Sequence, residues 1–166
     1  MLNMKIERGD IKAFMNSLLT SETFDFFEVR GVDISTLTHF NISGQKLTGE
    51  KAEADADDED EDKPAKTGYC KWSEIRPFVF NLIKGGARPS YIKIVFSMES
   101  AQAVKLHENA AAMHLNILYS ADEVYFTSAT AQKGFSLDKS LDHVWEDYLI
   151  EFFRSNSIGA KEIELQ

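Results

Sequence analysis

The sequence predicts a single α+β domain in which a largely antiparallel sheet packs against amphipathic helices. Apolar residues recur at helical spacing in three segments, whereas β-branched and aromatic residues alternate in the segments between them. The two kinds of segment are mixed without the strict alternation of a parallel βαβ fold. A chain of 166 residues with 43% apolar content can form one hydrophobic core, so we treat 1–166 as one domain.

Three amphipathic helices are predicted from apolar stripes in the segments 11–19, 72–83 and 141–153. Asp10 is a natural N-cap for the first helix, and Gly85 and Gly86 stop the second. Proline is favoured in the first turn of a helix and disfavoured later. We therefore expect a preliminary turn at 72–76 and a continuous second helix that begins near Pro77.

Extended structure is predicted for the segments 4–6, 27–42, 91–98, 113–119 and 123–130. Gly31 marks a break or bulge in the second of these. The turn-forming residues 120–122 predict a hairpin between the last two. A short helix is expected at 99–108, a short edge strand at 135–137 and a loose C-terminal tail at 160–166.

The charge of the chain is concentrated in one acidic tract, Glu50–Asp62, which contains nine acidic residues and one lysine. Its net charge of −8 accounts for nearly all of the −9 of the whole chain. Self-repulsion and the lack of any apolar residue larger than alanine predict a flexible acidic insertion over 48–67. The acidic pI therefore describes this tract, and it does not exclude a polyanionic partner such as nucleic acid.

A basic block follows the tract, with seven Lys or Arg residues and a single acid, Glu74, between residues 63 and 98. Cations beside aromatic rings are typical of phosphate-binding surfaces. The candidate binding residues are Lys71, Trp72, Arg76, Lys84, Arg88 and Lys93. The hypothesis is a non-catalytic interaction protein that binds a protein or polyanion through this patch, and the acidic insertion either screens the patch or is a plain linker.

The sequence contains no coherent catalytic set, and we predict no catalytic residue, metal site or cofactor. The alternative is a small metal-dependent enzyme that uses the last helix, where Glu146 and Asp147 follow His143 at three and four residues. Cys70 has no flanking nucleophile motif. The acidic tract lacks the glycine that a calcium loop needs at its sixth position.

Composition predicts a cytoplasmic protein with no membrane partner. The single cysteine allows no intrachain disulfide and fits a reducing compartment. The N-terminal segment lacks the apolar core of a secretory signal, and no apolar run is long enough to span a bilayer.

Four segments of the chain resemble a family of small uncharacterised proteins from Gram-positive bacteria, catalogued as a domain of unknown function. They are MKIERGDIKAFMNSLL, WSEIRPFVFNLIKGG, YIKIVFS and LNILYSADEVYFTSATAQKGFSLDKSLDHVW. The resemblance covers most of the chain outside the acidic tract. It implies a bacterial, cytosolic protein, and it transfers no functional residue to this sequence.

The order of strands and helices is also similar to one domain of DNA sliding clamps, where helices with Lys and Arg line a ring. The corresponding cations here are Arg8 and Lys12 near the first helix, and Arg76 and Lys84 on the second. This likeness implies a second alternative, a clamp-like DNA-associated subunit. A single domain would have to form a homo-oligomer to encircle DNA, and the long C-terminal helix departs from the clamp pattern.

Overall fold

The computed structural model describes residues 1–47 and 68–164, so the predicted acidic insertion at 48–67 lies outside the described residues. The strands are β1 (Asn3–Ile6), β2 (Glu28–Ser35), β3 (His39–Ser43), β4 (Tyr91–Ser97), β5 (Ala110–Ser120), β6 (Glu123–Gln132) and β7 (Ala160–Glu162). The helices are α1 (Ile11–Thr20), α2 (Trp72–Lys84), α3 (Ser100–Leu106) and α4 (Ser140–Ser155). A short 3-10 turn, Arg8–Asp10, precedes α1.

The strands form one seven-stranded sheet in the order β3-β2-β4-β5-β6-β1-β7. Every neighbouring pair is antiparallel, which confirms the predicted α+β class. Three connections join strands that are not neighbours in the sheet, and these contain α1, α2 and α4. Each of these helices therefore crosses the sheet.

The helices α1, α2 and α4 cover one face of the sheet. Paired core positions on this face are Met4, Phe126, Ile117, Ile94 and Val32, all of them buried. Phe14 of α1 and Phe153 of α4 pack on Phe126, with ring centroids 5.2 and 4.7 Å apart. Trp72 of α2 packs edge-on against Phe96 at 5.2 Å.

The next row of paired residues lies on the opposite face, because side chains alternate along a strand. This row is Lys5, Tyr125, Leu118, Lys93 and Asp33. These side chains are half-buried or exposed, unlike the core row. We call this side of the sheet the open face.

The second helix begins at Trp72, so the predicted start near Pro77 is wrong. The Trp72 side chain is fully buried, and its Nε1 donates to the Leu18 carbonyl oxygen at 2.8 Å. The Glu74 carboxylate accepts the backbone N–H of Lys71 at 3.3 Å, which satisfies one of the free donors at the helix start. Pro77 is exposed, so water can hydrate the carbonyl that its missing N–H leaves free.

The segment predicted as extended over 27–42 contains two strands. They meet at a tight turn in which the Thr36 N–H donates to the Thr38 carbonyl at 2.9 Å. Ser35 and His39 are paired across the turn, so Thr36 and Thr38 belong to no strand. The predicted irregularity at Gly31 is confirmed by a register shift between Val29 and Gly31.

Two predictions near the C-terminus are wrong. Residues 135–137 are a loop, in which Phe135 and Leu137 are 91% and 84% exposed. The predicted loose tail instead forms β7 at its start, because β1 offers an unpaired edge whose backbone groups it can bond. The predicted hairpin at 120–122 is confirmed, since β5 and β6 pair up to Ser120 and Glu123.

No helix within 1–47 and 68–164 has both the length and the apolar character to cross a membrane.

Candidate cationic groove

The six residues predicted to form a binding patch do not lie on one surface. Lys71 and Lys84 flank opposite ends of the 13-residue helix α2, which is about 20 Å long. Lys93 projects from the open face, whereas α2 lies on the helical face. A single patch through all six residues is therefore a wrong prediction.

Two of the six residues are structural. The side chain of Trp72 is 0% exposed, so it cannot serve as the predicted stacking surface. The Arg76 guanidinium donates to both carboxylate oxygens of Asp25, from Nε and Nη2, each at 2.9 Å. This bidentate hydrogen bond raises the pKa of Arg76 and links α2 to the turn before β2.

Arg88 lies in a groove that sequence reasoning did not predict. The groove has a volume of about 500 Å³ and is formed by the start of α1, the loop before β4 and the β5–β6 turn. Arg8, Lys12 and Arg88 line it, together with one acidic residue, Asp122. The rest of its lining is Ile11, Met15, Pro89, Tyr119 and Ala121. We call this surface the cationic groove.

Asp122 positions Arg88 at the edge of the groove. Its Oδ1 accepts from the Arg88 Nη2 at 2.6 Å and from the Tyr119 hydroxyl at 3.0 Å. Tyr119 and the charge of Asp122 raise the pKa of Arg88. The turn is strained, because Ala121 and Asp122 have φ angles of 51° and 59°, which glycine and asparagine adopt more easily. Strained turns recur at functional sites.

The other two cations of the groove have no described carboxylate as close as the one beside Arg88. Both Arg8 and Lys12 are exposed. Arg8 lies 3.9 Å from Glu123, whose carboxylate is 2.7 Å from Lys5. Among the described residues no ion pair involves Lys12. No periodic signal connects residues 8–12 with Arg88, so the groove is visible only after folding.

The predicted histidine and acid cluster on the last helix is not assembled around His143. Glu146 lies 3.0 Å from the amino group of Met1, while His143 and Asp147 are exposed. In the part of the chain that the structure describes, no three His, Cys, Asp or Glu side chains are grouped closely enough to hold a metal ion. Cys70 is half-buried, and its backbone bonds to Gly44 and Val29 hold its segment against β2.

A chain of hydrogen bonds through His107, Ser140 and Asp138 contains the residue types of a catalytic triad, but its polarity is reversed. The Asn109 N–H donates to His107 Nδ1 at 3.1 Å, so neutral His107 carries its proton on Nε2. Nε2 lies 2.8 Å from the Ser140 Oγ, which donates to Asp138 at 2.9 Å. The backbone N–H of Ser140 also donates to Asp138, at 2.9 Å, and this bond together with the hydroxyl bond lowers the pKa of Asp138. Because His107 donates to the serine, it cannot act as its general base.

The comparisons with known proteins agree with the resemblance noted from the sequence. The model of a family of unknown function, DUF5721, matches residues 17–160, and the chain belongs to this family. No curated protein and no solved structure matches the chain.

Proposed function

We propose that this protein is a non-catalytic interaction protein of the bacterial cytoplasm that binds a polyanionic partner through the cationic groove. The single cysteine, which fits a reducing compartment, supports the location. The binding residues in this proposal are Arg8, Lys12 and Arg88. Of the six residues predicted for the basic patch only Arg88 is retained, while Arg8 and Lys12 were named from the sequence only for the clamp-like alternative.

The main support is the composition of the groove. Three cations and one acid line a concave surface in a chain whose net charge is −9. Arginine and lysine side chains that point into one groove attract closely spaced anionic groups. The apolar side chains of Ile11, Met15 and Pro89 add surface on which a base or another flat group can rest.

The acidic tract can compete with the partner for these cations. Its net charge of −8 is covalently attached to the same molecule, so its competition with a partner is intramolecular. The described residues at its base are adjacent, because the Lys46 N–H donates to the Gly68 carbonyl at 2.9 Å. We propose that the tract weakens polyanion binding at low salt and weakens it less as salt screens the charges.

The salt dependence of binding tests the groove. A fluorescein-labelled single-stranded oligodeoxynucleotide is the probe, and fluorescence anisotropy is the measurement. Three phosphate contacts predict a slope of log affinity against log salt of about −2. Lys12→Gln and Arg8→Gln should each reduce the magnitude of this slope by about 0.7 and weaken binding about fivefold at low salt.

Lys93→Gln is the matched control, since Lys93 belongs to the sequence-predicted set but lies on the open face. It should leave both the affinity and the slope unchanged. Equal losses for Lys93→Gln and Lys12→Gln would show that binding follows total charge and would contradict the groove. Absence of saturable binding to the oligonucleotide and to heparin would contradict polyanion recognition altogether.

A second candidate is the clamp-like DNA-associated subunit. The observation in its favour is that α1 and α2 lie side by side on one face of the sheet, joined by the hydrogen bond from Trp72 to Leu18. Lys12 and Lys84 are exposed on these helices. A ring requires several copies, so sedimentation equilibrium tests the idea, and a monomer at all concentrations with and without DNA would eliminate it.

A further inference from the structure

A second cavity, separate from the cationic groove, lies between the N-terminus of α2, the helix α3 and the middle of α4. Its volume is about 300 Å³. Phe26, Met98, Leu106 and Tyr148 form its apolar lining, and charged side chains stand at its rim. Its volume is at the small end of the range for small-molecule sites, which fits one ring with a short substituent.

The aromatic walls of this cavity are held in place by other aromatic side chains. Phe26 remains 39% exposed although its ring centroid is only 4.2 Å from that of Phe27. Tyr148 stacks on the buried Trp145, with centroids 5.4 Å apart and an angle of 14° between the rings. Burial raises the pKa of the Tyr148 phenol, so its hydroxyl stays a donor. The cavity is therefore formed before any ligand binds.

The rim carries one uncompensated positive charge. Lys71 donates to the Glu99 carboxylate at 3.1 Å and to the Phe26 carbonyl at 3.3 Å, so its charge is paired and its position is fixed. Lys105, also at the rim, is exposed and forms no ion pair with another described residue. A ligand with an apolar body and one negatively charged group would complement both the apolar lining and Lys105.

We propose that this cavity binds a small aromatic monocarboxylate. The ring of the ligand contacts Phe26 and Tyr148, and the carboxylate pairs with Lys105. The site differs from the cationic groove in chemistry as well as in place. Three cations and one acid line the groove, whereas two lysines, one of them paired with Glu99, stand beside an apolar lining in this cavity.

Two matched probes test the charge requirement. 3-Phenylpropionate has the proposed chemistry, and 3-phenylpropionamide has the same shape without the charge. Binding is followed by saturation-transfer NMR and by quenching of the fluorescence of Trp145, which stacks on Tyr148. We expect saturable binding of the carboxylate and about fivefold weaker binding of the amide, the effect of one partly exposed ion pair.

Three variants complete the test. Lys105→Gln should weaken the carboxylate about fivefold and leave the amide unchanged. Leu106→Trp, which fills the cavity, should abolish binding of both probes while circular dichroism shows a folded protein. Lys133→Gln, in the exposed loop after β6, is the control and should change neither affinity. Oligonucleotide binding should be the same in Lys105→Gln as in the parent protein.

Three results would overturn the proposal. The first is no saturable binding of 3-phenylpropionate at millimolar concentration. The second is equal affinity for the acid and the amide. The third is that Lys105→Gln still binds the acid more tightly than the amide, which would show that another part of the molecule recognises the carboxylate.

Discussion

The guanidinium of Arg76 and the carboxylate of Asp25 form two parallel hydrogen bonds in a largely buried position. Their side chains are only 21% and 17% exposed. Removing one partner of such a pair leaves the other partly buried and unpaired. Arg76, which the charge pattern assigned to a binding surface, therefore contributes to stability.

Arg76→Ala should lower the free energy of unfolding by about 2 kcal/mol, because charged hydrogen bonds are lost and Asp25 remains unpaired. Arg76→Lys should cost about 1 kcal/mol, since lysine cannot make the bidentate contact. Urea denaturation measures both. Arg154→Ala is the control, as its pair with Glu151 is exposed, and it should change stability by less than about 0.5 kcal/mol. Equal effects of Arg76→Ala and Arg154→Ala would contradict the structural role.

His114 on the open face is a second residue whose environment has a measurable consequence. Its side chain is half-buried beside Ser97, its partner across the strand pair, and its Nδ1 has no partner among the described residues. Burial lowers the pKa of His114, and the charge of Arg30 lowers it further. Folding therefore favours the neutral imidazole.

A lowered pKa in the folded state gives stability that is present above the unfolded pKa and lost as pH falls through the folded pKa. The free energy of unfolding should therefore decrease from about pH 7 to about pH 5 more steeply in the parent protein than in His114→Gln. Nearby Glu28 has a pKa raised by burial and acts in the opposite direction, so the comparison with the variant isolates His114. The control is His143→Gln, at an exposed position of α4, in which the free energy of unfolding should vary with pH as in the parent protein. If His114→Gln also kept the pH dependence of the parent protein, the role assigned to His114 would be refuted.

At the scale of elements, the β5–β6 hairpin combines local strain with a role in the groove. Both turn residues have positive φ, although neither is glycine or asparagine. Asp122 can still bond Arg88 and Tyr119 from this conformation. We infer that the strained turn lowers the stability of the protein slightly and, through Asp122, fixes the position of Arg88.

Ala121→Asn should stabilise the protein by roughly 0.5–1 kcal/mol, because asparagine tolerates the left-handed conformation better than alanine. Thermal unfolding measures the change. Ala121 lines the groove, but Asp122 and the three cations are retained, so the salt slope of oligonucleotide binding should not change. A loss of stability would show that Ala121 is not strained, and a loss of affinity would show that its methyl group belongs to the binding surface.

At the scale of the whole molecule, the helices are unevenly distributed over the two faces of the sheet, and the charge is unevenly distributed along the chain. The helices α1, α2 and α4 cover one face of the sheet, whereas the paired residues of the open face are partly exposed. The acidic tract holds −8 of the net −9, so the rest of the chain is close to neutral. A locally cationic groove can therefore act on a polyanion without strong repulsion from the rest of the chain.

Deleting residues 50–62 changes the formal net charge from −9 to −1, the difference being the −8 of the tract. Oligonucleotide affinity should rise several-fold at low salt, and the gain should shrink as salt shortens the Debye length to about 8 Å. Anisotropy titrations at two salt concentrations measure this. A full-length variant with Asn or Gln at the nine acidic positions is the matched control and should behave like the deletion. A gain in the deletion alone would indicate a steric effect, and no gain in either would eliminate the screening idea.

The spacing of apolar residues along the sequence was sufficient to predict most of the helices and strands. The stripe in 141–153 predicts α4 within two residues at each end, because three full turns of one apolar face leave little ambiguity. The predicted start of α2 near Pro77 was wrong, because the burial of Trp72 outweighs the preference of proline for the first turn of a helix. The C-terminal strand was missed because a three-residue edge strand has no pattern of its own and depends on β1.

The sequence by itself determined the α+β class, the main helices and strands, and the confinement of negative charge to one tract, because each of these follows from local spacing or composition. Only the tertiary structure decided which cations share a surface. Arg8, Lys12 and Arg88 converge because the β5–β6 turn and the loop before β4 lie beside the start of α1. Trp72 is instead buried in the core, and Arg76 is paired with Asp25. Sheet order brings together residues far apart in the chain, and no local pattern encodes that order.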